Sequence, residues 1–116
     1  MFVIIEPYIY MGHETVPKNV TRIIVHDSVT TIPEYAFQEC HDLKEIFLPE
    51  GLLEIGQWAF RSCTSLVAII FPSTLRVIGG DAFYGCSSLV RVDFNEGLQT
   101  IGAGAFQDCR SILHLK

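Results

Sequence analysis

Apolar residues recur along this chain at a constant interval of 23 residues, with no insertion or deletion between successive copies. Self-similarity at a fixed period of roughly 20–50 residues is the signature of repeat architectures. The pattern therefore predicts a repeat solenoid built from 23-residue units. Its columns are Phe37, Phe60, Phe83 and Phe106; Cys40, Cys63, Cys86 and Cys109; Leu43, Leu66, Leu89 and Ile112; Ile46, Ile69, Val92 and Leu115; Leu48, Phe71 and Phe94; Leu52, Leu75 and Leu98; Ile55, Ile78 and Ile101.

Each unit contains one short stretch in which apolar residues alternate, at residues 22–25, 45–48, 68–71 and 91–94. Because side chains alternate across a strand, we expect the second and fourth residues of each stretch to face the core. Neighbouring parallel strands need a return connection of about a dozen residues or more, which the 23-residue unit supplies. The stretches therefore predict one short parallel sheet along the solenoid.

The return leg of each unit carries a glycine, at Gly56, Gly79 and Gly102. Glycine tolerates positive φ, so these positions predict sharp or left-handed turns. After each glycine, the three-residue spacing of Phe60, Cys63 and their equivalents predicts one helical or 3₁₀ turn.

Both ends of the chain depart from this register. Residues 1–16 lie outside it, and we interpret them as an N-terminal cap with a short strand at residues 2–5. Residues 17–116 are about four repeats: the first is degenerate, with Pro17 in the place of the cysteine, and the last stops within a strand. The whole is predicted to be a single domain. The C-terminal coil would expose a sheet edge, so either the chain is a segment of a longer array or another chain associates through this uncapped coil.

The stretch from Cys40 to Phe60 has the form Cys-x-x-Leu-x-x-Ile-x-Leu-Pro-x-x-Leu-x-x-Ile-Gly-x-x-Ala-Phe. This form resembles the BspA-type leucine-rich repeat, strongly over residues 29–115 and weakly over 17–28. It departs at Pro33, where the family has Gly, and at Asn95, where Pro is usual. The resemblance implies a curved, right-handed leucine-rich-repeat coil with its parallel sheet on one face, used in protein–protein interaction or adhesion. It implies no catalytic residues.

Charge and hydropathy narrow the function further. The net charge is −5 and the eight basic residues are scattered singly, so nothing predicts a nucleic-acid partner. No apolar run approaches the ~18–20 residues of a membrane span. The first residues lack the basic segment of a secretory signal, which favours an intracellular location.

The cysteines and histidines predict no metal, cofactor or catalytic site. One cysteine per coil places the four sulfurs in a line, whereas a zinc site needs ligands that converge on a point. We therefore expect buried, reduced thiols, with a disulfide between neighbouring coils as the alternative. The histidines fall in four different registers and share no spacing suited to a metal. They are His13, His26, His41 and His114.

One surface feature predicts a binding site. By strand alternation, Ile24, Phe47 and Ile70 face outward and stack, although they are apolar. The alternative is that the N-terminal segment covers this face, or that these residues only favour the strand conformation. The candidate partner-binding residues are Ile24, Phe47, Ile70, Glu45, Arg91 and Asp93. The predicted function is a non-catalytic scaffold for a protein partner; the alternative is a structural segment of a longer array with a spacing or assembly role.

Overall fold

The computed structural model describes residues 7–115, which form short strands joined by turns. The strand predicted at residues 2–5 lies outside the described residues. In chain order the strands are β1 Tyr8–Tyr10, β2 Arg22–Val25, β3 Thr31–Ile32, β4 Glu45–Phe47, β5 Glu54–Ile55, β6 Ala68–Ile70, β7 Val77–Ile78, β8 Arg91–Asp93, β9 Thr100–Ile101 and β10 His114–Leu115.

Every pair of neighbouring strands is parallel, and equivalent residues of successive coils lie side by side, as in the pairs Ile23–Ile46 and Ile69–Val92. The predicted solenoid of 23-residue units is therefore confirmed. Its strand face consists of two three-stranded sheets, ordered β1-β2-β4 and β6-β8-β10. The structure adds a second, four-stranded ladder on the return leg, ordered β3-β5-β7-β9. Its strands have only two residues each, too few for a period of two to be visible in the sequence.

The core is a set of side-chain columns that run along the solenoid axis. The phenylalanine column is continuous: ring centroids lie 5.1 Å apart between Phe37 and Phe60, 4.7 Å between Phe60 and Phe83, and 5.2 Å between Phe83 and Phe106. The first three of these rings are fully buried, whereas Phe106 is half-buried in the last described coil. Each coil therefore completes its core only when a neighbour packs on both sides.

The cysteine column links one coil to the next by hydrogen bonds. The thiol of Cys63 donates to the carbonyl oxygen of Phe37 at 3.1 Å, and Cys86 and Cys109 repeat this contact one and two coils later. Burial raises the pKa of the Cys63 thiol to about 12, since the ionised form would lose its hydration. The prediction that these residues act as small hydrophobes was incomplete, because the thiols of Cys63, Cys86 and Cys109 also donate hydrogen bonds to carbonyl oxygens of the preceding coil.

The repeat glycines have a different role from the predicted one. Left-handed backbone is found not at Gly56, Gly79 and Gly102 but two residues later, for example at Trp58 (φ 62°). A Cβ on Gly79 would lie 2.6 Å from the backbone nitrogen of Gln57 in the previous coil. Glycine is required there because two backbones approach closely, so the prediction of positive φ at these glycines was wrong.

Pro33 occupies the equivalent position in the first coil. It lines a groove of about 230 Å³ together with His13 and Lys18 of the N-terminal segment. Its carbonyl oxygen accepts a hydrogen bond from the Ala36 backbone N–H at 3.3 Å, so the turn that follows Gly56 in the next coil also forms after Pro33.

Asn95, the other departure from the repeat pattern, connects two coils. Its side-chain amide donates to the carbonyl oxygens of Ser73 at 3.0 Å and Leu75 at 2.8 Å. The residue thereby links the turn after β8 to the preceding coil.

Residues 7–16 extend the strand face and the core by one strand. Strand β1 pairs with β2, and the Tyr10 ring is buried edge-on against Phe37 with centroids 4.8 Å apart. The carboxylate of Glu14 accepts hydrogen bonds from the Met11 backbone N–H and from the Tyr8 hydroxyl. These contacts fix the loop that follows β1, while the boundary between a cap of residues 1–16 and repeats of residues 17–116 stays a prediction.

Candidate protein-interaction surface

The outward residues of the strand face form one apolar row, which we name the apolar strip: Ile9, Ile24, Phe47 and Ile70. Ile9 lies beside Ile24, and Ile24 beside Phe47, in the paired strands. Phe47 and Ile70 are 46% and 56% exposed, and Ile24 is half-buried. All three apolar residues named by the sequence pattern therefore lie on the outer face, and the row ends at Asp93 of β8.

Sequence reasoning missed Ile9, which is 45% exposed. It precedes Ile24 by 15 residues instead of 23, so the repeat register does not reach it. The alternation of Tyr8, Ile9 and Tyr10, with Tyr10 buried, is the signal that could have found it.

The charged residues beside the strip are paired with one another. The Arg22 Nε lies 3.5 Å from the Glu45 carboxylate across β2 and β4. Within β8, the Arg91 Nε donates to the Asp93 carboxylate at 3.0 Å, and this hydrogen bond raises the pKa of the Arg91 guanidinium. Each of the predicted residues Glu45, Arg91 and Asp93 thus has a partner of opposite charge, and the rim of the strip is close to neutral.

The strand face is divided between β4 and β6. The backbone N–H of Val67 lies 3.4 Å from the Lys44 carbonyl oxygen, whereas the equivalent bond from Val90 to the Val67 carbonyl is 2.7 Å. Among the described residues no strand pairing joins β4 to β6, although the return-leg ladder is continuous through the same two coils. The two halves of the strand face are therefore parted at this point.

A groove of about 430 Å³ lies at this division. Phe47 and Ile70 of the apolar strip line it, together with Val67 and the small side chain of Ala68. Lys44 and Glu45 supply its polar end. The groove is an apolar recess set into the exposed strip, with room for side chains of a partner.

The repeat pattern and the parallel ladders point to one family. A family model for the BspA type leucine-rich repeat region (6 copies) matches residues 5–116. The chain belongs to this family. Leucine-rich repeat proteins of this type present extended surfaces made from stacked units. The resemblance stated from the Cys40–Phe60 stretch is thereby confirmed.

Solved structures of leucine-rich repeat proteins share the fold. A leucine-rich repeat protein from T. pallidum is 44% identical with a TM-score of 0.78, over 79% of this chain and 43% of that one. One from Bacteroides ovatus is 40% identical with a TM-score of 0.74, over 78% of this chain and 23% of that one. A leucine-rich cell surface protein from Faecalibacterium prausnitzii is 21% identical with a TM-score of 0.73, over 88% of this chain and 34% of that one. At this identity the likeness shows a shared fold and nothing more. The chain spans less than half the length of each. No curated protein sequence resembles the chain closely enough to count as a match.

A second exposed surface of this leucine-rich repeat lies on the turns of the return leg. The Trp58 and Tyr84 rings lie 5.9 Å apart, and the Arg61 guanidinium lies 5.1 Å from the Trp58 ring centroid. Tyr35 is half-exposed one coil earlier. Trp58, Tyr84 and Arg61 pack on one another, whereas Tyr35 lines the groove of about 230 Å³ beside the N-terminal segment.

Neither a candidate metal site nor a candidate membrane-spanning helix is found among the described residues. Between residues 7 and 115 no three His, Cys, Asp or Glu side chains converge into a possible metal site. Within the same part of the chain, no helix is long and apolar enough to cross a membrane. The family and its structural neighbours are repeat proteins in which catalysis is not the general role.

Proposed function

We propose that this leucine-rich repeat chain is a non-catalytic scaffold that binds a protein partner through the apolar strip. The observation that carries the proposal is the coincidence of an exposed apolar row with a recess of about 430 Å³ in the same face. Solenoids use such extended faces for recognition, and contiguous exposed apolar patches mark contact surfaces.

The energetics favour coverage of this surface. Apolar area removed from water contributes roughly 25 cal/mol per Å². The neighbouring charges are already paired as Arg22 with Glu45 and Arg91 with Asp93, so a partner need not supply counter-charges. Both features favour a partner that buries apolar side chains against the strip.

A second proposal is a structural role as one segment of a longer array. The support is the uniform register: the phenylalanine rings stack from coil to coil without a break between Phe37 and Phe106. In such an array the strip would space or align the assembly instead of capturing a separate protein.

Photocrosslinking tests the scaffold proposal. A benzophenone amino acid placed at Phe47 should give protein adducts, whereas the same group at Glu54, exposed on the return-leg strand β5, should give few. Equal adduct yields at the two positions would contradict a binding role for the strip. Phe47→Asp should remove strip-dependent adducts formed from a benzophenone at Ile70, while the circular dichroism spectrum stays unchanged.

A further inference from the structure

We propose that the partner on the apolar strip is a second copy of this chain, bound face to face about a two-fold axis parallel to the strands. This inference rests on the proposed function, because it names the partner for the same surface. In a two-fold contact the same patch is used on both copies, so the patch must be complementary to its own reversed image.

The apolar row meets this condition. Along the solenoid its order is Ile9, Ile24, Phe47 and Ile70. A two-fold axis that passes between Ile24 and Phe47 reverses the order in the second copy. Ile24 then lies opposite Phe47 of the second copy, and Ile9 opposite its Ile70. Each apolar side chain is therefore matched to an apolar side chain.

The adjacent charged row meets the same condition at the same axis position. Arg22 and Glu45 are neighbours across β2 and β4, and each precedes the strip residue of its strand by two residues, so both lie on the outer face. The axis places Arg22 opposite Glu45 of the second copy, and Glu45 opposite its Arg22. Four charges of alternating sign then meet in a square, an arrangement in which every nearest neighbour is attractive.

Neighbouring axis positions fail because they oppose like charges. An axis through Ile24 places Arg22 opposite Arg22, and one through Phe47 places Glu45 opposite Glu45. An axis between Phe47 and Ile70 places Arg22 opposite Arg91, and Ile24 opposite Asp93. Like charges placed opposite one another across an interface are repulsive, so the axis between Ile24 and Phe47 is favoured over these three positions.

The shape of the strand face agrees with this arrangement. The groove between Phe47 and Ile70 faces the Ile9 and Ile24 side chains of the second copy. The two-fold axis repeats this contact, so both grooves are covered. The whole chain carries a net charge of −5, yet this face is balanced, so it is a surface on which two acidic copies approach with little local repulsion.

Charge exchange tests the proposal with the intact chain. In sedimentation velocity the unchanged protein should show concentration-dependent dimers. Arg22→Glu and Glu45→Arg should each weaken dimerisation by about tenfold or more, since each opposes like charges. An equimolar mixture of the two variants should restore dimers, because every contact across the axis is then attractive. Glu54→Arg, an equal charge reversal on the return leg, should dimerise as the unchanged protein does.

Several results would overturn the proposal: an unchanged protein that stays monomeric at every concentration, charge variants that dimerise normally, or a mixture that fails to restore dimers. Ile9→Asp provides an independent variant on the other half of the strip and should also give monomers. Circular dichroism of each variant establishes that it is folded.

The benzophenone at Phe47 separates this proposal from the general one. An adduct of twice the chain mass, cross-linked to a strand-face peptide of the same sequence, supports the two-fold contact. If the only adducts are with a different protein, the proposal of a two-fold dimer is wrong and the scaffold proposal is supported. Absence of any adduct at Phe47 contradicts both.

Discussion

Phe83→Ala is the sharpest test of the core described above. The Phe83 ring is fully buried and nearly coplanar with its neighbours in the column: it stacks on Phe60 at 4.7 Å and 5°, and on Phe106 at 5.2 Å and 2°. It also meets the Phe71 ring edge-on at 5.9 Å. Truncation to alanine removes all three ring contacts and leaves a cavity between two coils.

The expected loss of unfolding free energy follows from these contacts. Phe→Ala in a packed core costs about 3–5 kcal/mol. Aromatic pairs contribute about 0.5–1.5 kcal/mol each beyond their buried area, so three ring partners place Phe83 at the upper end of that range. For a chain of this length, a loss of about 4–5 kcal/mol lowers the melting temperature by roughly 15–20 °C.

Urea unfolding followed by circular dichroism measures the loss, and Phe106→Ala is the matched control. Phe106 belongs to the same column but is half-buried and has Phe83 and Phe94 as its ring partners. Its truncation should cost about 1–2 kcal/mol, less than full burial of a large apolar side chain contributes. The reasoning would be refuted if the Phe83 and Phe106 variants lost equal stability, or if Phe83→Ala shifted the melting temperature by only a degree or two.

Other expected outcomes concern the backbone contacts, the thiols and the strip. Gly79→Ala should destabilise the fold because its Cβ would meet backbone at 2.6 Å, whereas Gly80→Ala, with its nearest atom at 3.4 Å, should be tolerated; thermal melts of the pair check this. Cys63 should react slowly with iodoacetamide in the folded protein and rapidly in urea, as measured by mass spectrometry, because its pKa of about 12 keeps it protonated. Its contribution to stability should be fully present below pH ~8.5–9 and lost as pH rises towards 12, because the unfolded thiol ionises first; Cys63→Ala should flatten this alkaline loss. Phe47→Asp should shift the melting temperature by only a few degrees, since the side chain faces outward; a variant that unfolds would show that Phe47 belongs to the core.

Sequence reasoning predicted the core because its signal is repeated in every coil. Strand alternation correctly placed Ile46 inside and Phe47 outside, since a period of two leaves no choice once one face is buried. The sequence located the repeat glycines, but the reason given for them was wrong. A glycine at position 79 is compatible both with a positive φ and with a close approach of two backbones, and only the structure shows that the close approach requires it.

The 23-residue register by itself determined the solenoid, its inward columns and its outward row, because each coil repeats the same local contacts with its neighbours. Tertiary structure alone decided three features. Ile9 joins the strip through a coil of different length, the Cys63 thiol finds its acceptor on Phe37, and the strand face parts between Phe47 and Ile70. Each depends on a distance between atoms of different coils. A repeat pattern records which residue types recur, but it does not record those distances.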